Sequence, residues 1–414
     1  MKDMNERGGS LGPWLVAIMC FLVLSMSFST RGSLSLTMAT FQSEFGWSRS
    51  FLSATAAVAL LLMALIAPFA GNAVDRYGPR PLFCSGLLIL ALACFGVASV
   101  GDGSQGWLFV LSFGITGGIA FGIIAQHVIV AAIALNFKEN RGLATGFGTS
   151  GSTAGQLLLL PVMAALLQVG QWRLGYLGMG LIALALIPVS FLALKGHRRV
   201  RANDSKEPAQ TLGARLKLMA GSPAFHILFW TFFICGFTTS GVIETHLLPY
   251  AAFCGFPPLP STTAYGILSA VNLGGMVLAG WLTDRLNRPL LLAGIYFARA
   301  LCFILLTQIG SDYTLLVVFA VLFGLFDYST VPVTASLLAS RLGVGILGLS
   351  MGVLSAGHAV GGALGAFLGG WLFDRTGNYE GLWFSATCLA FAAAFMAACL
   401  KDDRRGMFWR PAAA

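Results

Sequence analysis

The chain is 414 residues long, 57% apolar and only 10% charged, against about 25% charged residues in an ordinary soluble protein. That composition excludes a cytosolic enzyme, and 51 Gly, 15 Pro and 8 Cys without short period or framework spacing exclude collagen-like, disordered and disulfide-scaffold classes. The formal net charge of +9, from 25 Lys+Arg against 16 Asp+Glu, would point to nucleic acid in a soluble chain, but in a polytopic membrane protein it reports topology.

A helix needs about 20 apolar residues to cross the hydrocarbon. Charged gaps divide the chain into twelve such stretches, near 14–40, 50–74, 81–101, 107–136, 142–169, 172–194, 224–252, 261–283, 289–310, 313–340, 344–371 and 380–400. The first is too long for a signal peptide and lacks a small-residue cleavage site after its Trp14 to Ala39 core, so it is expected to remain as an anchor. With the N-terminus inside, Lys2, Arg7, Arg76, Arg80, Lys138, Arg141, the run from Lys195 to Lys217, Arg285, Arg288, Arg341, Lys401, Arg404, Arg405 and Arg410 all fall on one side. Arg49, Arg173 and Arg375 fall on the other, and Arg31 and Arg299 lie inside predicted helices. The asymmetry predicts both termini in the cytoplasm.

The long polar stretch Gly196 to Gly221 separates six spans from six, giving expected units at 1–195 and 223–414 joined by a linker at 196–222. Internal repetition supports the division. Gly71-Asn-Ala-Val-Asp-Arg-Tyr-Gly-Pro-Arg-Pro-Leu82 after the second span is echoed by Gly280-Trp-Leu-Thr-Asp-Arg-Leu-Asn-Arg-Pro-Leu290 after the eighth. Gly142, Gly146, Gly151 and Gly155 recur as Gly348, Gly352, Gly357 and Gly361 at a constant offset of 206 residues. The expected fold is an all-α polytopic membrane protein of two pseudo-symmetric six-helix bundles, a layout that places a substrate site between the halves near the bilayer midplane.

The segment Gly71, Asp75, Arg76, Gly78, Arg80, with its echo at Asp284 and Arg285, resembles the G-x-x-x-D-R-x-G-x-R loop of the major facilitator superfamily. A carboxylate and a guanidinium there can pair with each other and with the negative end of a neighbouring helix, making a latch between halves, or can simply mark the inner side. Phe137-Lys138-Glu139-Asn140-Arg141-Gly142-Leu143-Ala144-Thr145-Gly146 resembles the F-x-K-x-R-x-L-A-x-G signature of the monocarboxylate porter family and its bacterial relatives. Glu44 to Arg49, Thr245 to Tyr250 and Asp327 to Pro332 resemble bacterial members as well. The resemblance implies transport of small mono- or dicarboxylates, by proton symport or anion exchange, by a protein that works as a monomer in a bacterial inner membrane without cofactor or nucleic acid. The sequence departs from the family in the eighth span: the arginine and the aspartate expected one and two turns before Gly280 fall on Met276 and Asn272.

Ionisable groups inside a membrane are costly and mark function by default. Arg31, among Ser27, Ser29, Thr30, Ser33, Ser35 and Thr37, is the expected anion site, its fork suited to a carboxylate; the alternative is a side chain snorkelling to the surface. Arg299 and Asp327 fall at similar depth in the antiparallel ninth and tenth spans and are expected to pair, either as a structural ion pair or as a proton-coupling site. His358 in the eleventh span is either a titratable substitute for the lysine that the resembling oxalate antiporters place in this helix, or a satisfied polar residue. Glu244 and His246 are candidates for an outer gate, or solvated residues of a helix end. His127, Gln156, Asn272 and Tyr296 are further candidate cavity donors. Glycines at four-residue spacing read as close helix packing, and most Trp residues as an interfacial belt. The sequence carries no H-E-x-x-H, Cys/His metal cluster, G-x-S-x-G or phosphate-cradling loop, so neither a metal site nor a catalytic residue is expected. The alternatives to an anion transporter are a drug/proton antiporter, though Gly155 is followed by Gln156 rather than by the usual continuation of that signature, and a transport-inactive membrane sensor.

Overall fold

A computed structural model describes residues 11–137, 139–194 and 211–402. Lys138, both chain termini and the linker up to residue 210 lie outside the described residues, and with them the placement of the termini and most of the basic linker. Among the described residues twelve helices are long and apolar enough to cross a membrane, in the order expected from hydropathy. Spans one to three are Leu11–Phe45, Arg49–Tyr77 and Pro79–Ala98. Spans five and six are Arg141–Gln168 and Trp172–Ala193. A short helix, Leu212–Ala220, follows the linker. Spans eight and nine are Pro258–Arg285 and Arg288–Leu306, and eleven and twelve are Leu347–Thr376 and Glu380–Ala398.

Spans four, seven and ten are not the continuous helices the sequence predicts. Span four passes through a π-helical segment, Val110–Gly117, then Gly118–Ile123, and stops; extended backbone at Ala125 separates it from a second helix, Gln126–Asn136. Span seven runs Pro223–Gly236, π-helical Phe237–Ile243 and Glu244–Phe253. Span ten is split into Tyr313–Phe326 and Thr330–Leu342 around Asp327, Tyr328 and Ser329. Irregular backbone at membrane depth persists only where protein or a polar cavity takes up the freed groups, and here protein surrounds much of it: Ile124, Thr238, Thr239, Asp327 and Ser329 are buried.

Polar caps fix where the helices begin. The side chains of Ser48, Ser222, Asn287 and Asp312 accept first-turn N–H groups of spans two, seven, nine and ten, and Pro79 opens span three immediately after Gly78. Gly78 has φ 77°, a conformation that L side chains rarely adopt, so the turn between spans two and three requires it.

The halves meet along two glycine seams on the face that carries the Leu212–Ala220 helix, the linker face. Gly71 lies against the Gly348 backbone and Ala67 against Gly352, joining spans two and eleven. Gly142 lies against Gly280 and Gly146 against Met276, joining spans five and eight. The remaining repeated glycines serve within each half: Gly151 and Gly155 admit the Phe21 and Ser25 backbone of span one, and Gly361 admits the Phe233 backbone of span seven. The repeat thus divides its labour: its first pair builds the seam and its later members pack each half. Val130 and Ala134 of span four belong to the apolar core of the second half, so the linker-side part of span four reaches across the seam.

A Cβ at Gly348 would overlap the Gly71 carbonyl and crowd the Asp75 carboxylate. Overpacking of this kind costs about 1–3 kcal/mol, enough to move a closed-to-open equilibrium by about tenfold or more. Gly348→Val is therefore expected to hold the linker face open, read as a longer spin-label distance between positions 77 and 290, both exposed; an unchanged distance distribution would refute the seam's role.

Candidate functional site

The latch residues come first because they close one end of the site. Asp75, at the end of span two, is buried, and its carboxylate accepts the backbone N–H groups of Gly348 at 2.8 Å and Leu349 at 2.9 Å at the start of span eleven. Asp284, at the end of span eight, accepts from Gly142 at 2.8 Å and Leu143 at 2.9 Å at the start of span five. Each carboxylate therefore satisfies orphan donors and sits at the positive end of a helix dipole in the opposite half. The expected pairing of Asp75 with Arg76, and of a guanidinium with a helix's negative end, is not what forms the latch. Arg76 is exposed, Arg80 stacks on Phe191 at 3.5 Å, and Arg285 lies over Trp281 at 4.0 Å. The cation beside Asp75 is Arg215 of the linker-side helix, 3.9 Å away, which also donates to Asn72 at 3.1 Å.

Above the seam, Arg31 of span one faces the second half. Its guanidinium lies 4.3 Å from the Phe28 ring centre and 3.9 Å from the Met63 sulfur, and among the described residues no carboxylate lies within ion-pair distance. Gln156 of span five approaches Gly32, the next residue of span one. Across the space, Tyr328 at the break in span ten donates to Glu244 of span seven at 2.7 Å. Both Tyr328 and Tyr265 of span eight lie in the combined field of Arg31, Glu244 and Asp327. One guanidinium from the first half thus faces a carboxylate and two phenols from the second. Tyr265 carries no signal in the sequence, and Tyr328 is marked only by its place in the Asp327 to Pro332 segment.

Arg299 and Asp327 are together, in a denser network than a simple pair. Arg299 is fully buried and its Nη2 lies 3.8 Å from Asp327 Oδ1. Its donors go to Cys235 at 3.1 Å, Thr238 at 2.9 Å, Thr239 and the Asp327 carbonyl at 3.4 Å. Asp327 accepts from Thr239 at 2.7 Å. The Arg299 guanidinium also lies 5.3 Å from the Phe323 ring centre. His358 of span eleven lies nearby, 5.1 Å from the Phe232 ring.

Three candidate donors or gate residues are already engaged by groups of the protein. Tyr296 is buried and donates to the Thr231 carbonyl at 2.8 Å, fastening span nine to span seven. Asn272 is occupied by the broken chain of span ten, where its Oδ1 accepts the Tyr328 N–H at 3.3 Å. His246 turns away from Glu244, is buried, bonds the Ala366 carbonyl at 3.0 Å and lies against Tyr379. His127 is fully buried at the start of the second helix of span four, and Met276 is buried in the seam.

Two like halves of six spans, closed at one face by reciprocal latches and carrying membrane-embedded charge above them, have the architecture of a solute transporter. The chain belongs to the Major Facilitator Superfamily, whose family model matches residues 19–312. It is 29% identical over 385 residues to the MFS-type transporter YcxA of Bacillus subtilis (strain 168), covering 91% of this chain and 92% of that one. It is 24% identical to monocarboxylate transporter 13 of Rattus norvegicus, covering 88% and 83%. Among solved structures it resembles the proton:xylose symporter XylE (TM-score 0.75, 17% identity, 94% of this chain and 95% of that one). It also resembles FucP in its outward conformation (TM-score 0.74, 14% identity, 92% and 97%).

Proposed function

We propose that the protein is a secondary transporter of small organic anions, driven by co-transported protons or by exchange, in the plasma membrane of a bacterium with both termini in the cytoplasm. The observation that carries this reading is Arg31: a guanidinium inside the membrane, facing the space between the halves, with no carboxylate within ion-pair distance among the described residues. Such a group is retained where a ligand completes it. A substrate carboxylate on Arg31 would extend its other end toward Tyr328, Tyr265 and Glu244. A second carboxylate there would meet Glu244 as a like charge, which favours a monocarboxylate with a hydroxyl, keto or apolar tail. The latch carboxylates Asp75 and Asp284 would release their helix ends as the linker face opens.

The similarity to monocarboxylate transporters supports the same class. A panel of monocarboxylates, dicarboxylates and lipophilic cations, each added to the purified protein, tests it. A ligand present at a hundredfold its Kd adds about 2.7 kcal/mol of stability, so the expected result is a rise in melting temperature with monocarboxylates, absent in Arg31→Gln. A shift with cations alone would favour a drug antiporter and contradict the proposal.

A further inference from the structure

The breaks in spans four and ten lie at near-equivalent places in the two halves, yet their freed groups meet different fates. In span ten the protein itself supplies the partners: Asn272 accepts the Tyr328 N–H, Thr239 and Arg299 hold Asp327, and Thr330 contacts the Cys235 thiol. In span four the chain leaves helical geometry at Ile124 (φ −107°, ψ 69°) and Ala125 (φ −123°, ψ 167°) and restarts as Gln126–Asn136. Ala125 provides no side-chain cap to the new helix. At its first turn His127 is fully buried, and both ring nitrogens lack a hydrogen-bond partner, as does the buried Gln126 Nε2. Leaving a buried polar atom unpaired is costly, and here three such atoms cluster at the positive dipole end of a helix, whose Val128 and Ile129 N–H groups turn back to the Ala125 carbonyl.

The direction in which the ring points follows from helical spacing. His127, Val130 and Ala134 lie on one face of the Gln126–Asn136 helix, and Val130 and Ala134 pack into the core of the second half. His127 therefore sits at the top of the closed seam, one turn above the residues that separate when the linker face opens. Its chemistry is that of a donor: a neutral imidazole offers one N–H, the Gln126 amide offers two, and the helix start offers backbone N–H groups. A half-helix N-terminus at membrane depth is how transporters hold anionic groups.

We infer that the break at Ile124–Ala125 is a second anion site, in which His127, Gln126 and the first turn of the Gln126–Asn136 helix hold a carboxylate on the linker side of the Arg31 site once the seam has parted. The ligand class rests on the anion-transport reading, whereas the site itself stands on its own unpaired donors. Because nothing in the closed state satisfies His127, closing the seam over an empty break strands the ring, a cost that weights the empty protein toward the open linker face.

The test uses the full chain in lipid nanodiscs with isotope-labelled histidine, titrated with pyruvate and with oxalate, in the wild type and in the seam-opened Gly348→Val. The His127 signals, assigned by their loss in His127→Gln, are expected to move saturably with either anion, more readily in Gly348→Val, and to do so equally in Arg31→Gln. His127→Leu distinguishes a ligand-binding ring from a structural one: removing an orphaned imidazole is expected to raise the melting temperature while weakening anion affinity at the linker face by about tenfold or more. His127 signals unmoved by both anions in both proteins would overturn the site, whether or not the Arg31-dependent stabilisation is found. A fall in melting temperature for His127→Leu would likewise overturn it. Loss of the Arg31-dependent stabilisation with the His127 response intact would instead remove the substrate assignment and keep the site.

Discussion

Arg31→Gln is expected to lower carboxylate transport by roughly a hundredfold while leaving the protein folded. Hydrogen bonds to a charged group are worth about 1.5–3 kcal/mol, and the bidentate fork supplies two of them to a carboxylate. Their loss in the bound state corresponds to about two decades in transport efficiency. Folding is spared because Arg31 has no ionic partner among the described residues; its contacts are Phe28 and the Met63 sulfur. The cation–π contact is worth about 0.5–1 kcal/mol. Arg31→Lys keeps the charge and loses the fork, so an intermediate loss of about tenfold is expected. Initial-rate uptake alongside size-exclusion profiles of both variants checks this, and full uptake by Arg31→Gln would sink the assignment.

Arg299 and Asp327 are expected to behave in the opposite way. Either Arg299→Met or Asp327→Asn alone leaves a charge inside the second half without its counter-ion, at a cost of about 3–5 kcal/mol. In Asp327→Asn the guanidinium keeps Cys235, Thr238 and Thr239 but cannot shed its proton, whereas in Arg299→Met the carboxylate can neutralise itself by taking one up. The stability deficit of Arg299→Met should therefore shrink as the pH falls, and that of Asp327→Asn should not. The double variant removes both charges and is expected to be more stable than either single one. Melting temperatures of the four proteins across pH form the cycle that measures it; additive losses would show that the two groups act independently. The network also changes what a charge swap can do. Carboxylate oxygens at position 299 could not reproduce the donors that now enter Thr238 and Cys235, so exchanging the two residues should not restore folding.

The twelve spans were legible because membrane helices announce themselves by apolar length, and the repeated glycines of spans five and eleven were legible because spacing survives where identity does not. The breaks in spans four, seven and ten were not, since the run Gly118-Ile-Ala-Phe-Gly-Ile-Ile-Ala125 stays apolar through the point where the helix stops. Periodicity has no punctuation there. For Tyr296 the difficulty was direction: Arg299 one turn on marks the same face of span nine, but that face turns into the second half, where the ring fastens Thr231. The latch was half readable. The carboxylates at Asp75 and Asp284 stood out in the loops, but their partners are backbone N–H groups of Gly348, Leu349, Gly142 and Leu143, which have no side-chain signature. Arg31 stands out as a candidate because a charge in an apolar run is visible without a structure. Tyr265, which faces it from span eight, does not, since a phenol in a membrane helix is ordinary.

The central claim, that a small carboxylate crosses on Arg31 while the two halves alternate, is tested most directly by counterflow. Protein reconstituted into liposomes loaded with unlabelled lactate, pyruvate or oxalate is diluted into the same labelled anion. A transient, saturable accumulation of label that is largest with a monocarboxylate and lost in Arg31→Gln is the predicted result. Absence of accumulation with every carboxylate, from a preparation that remains monodisperse and exchanges some other solute, would contradict it.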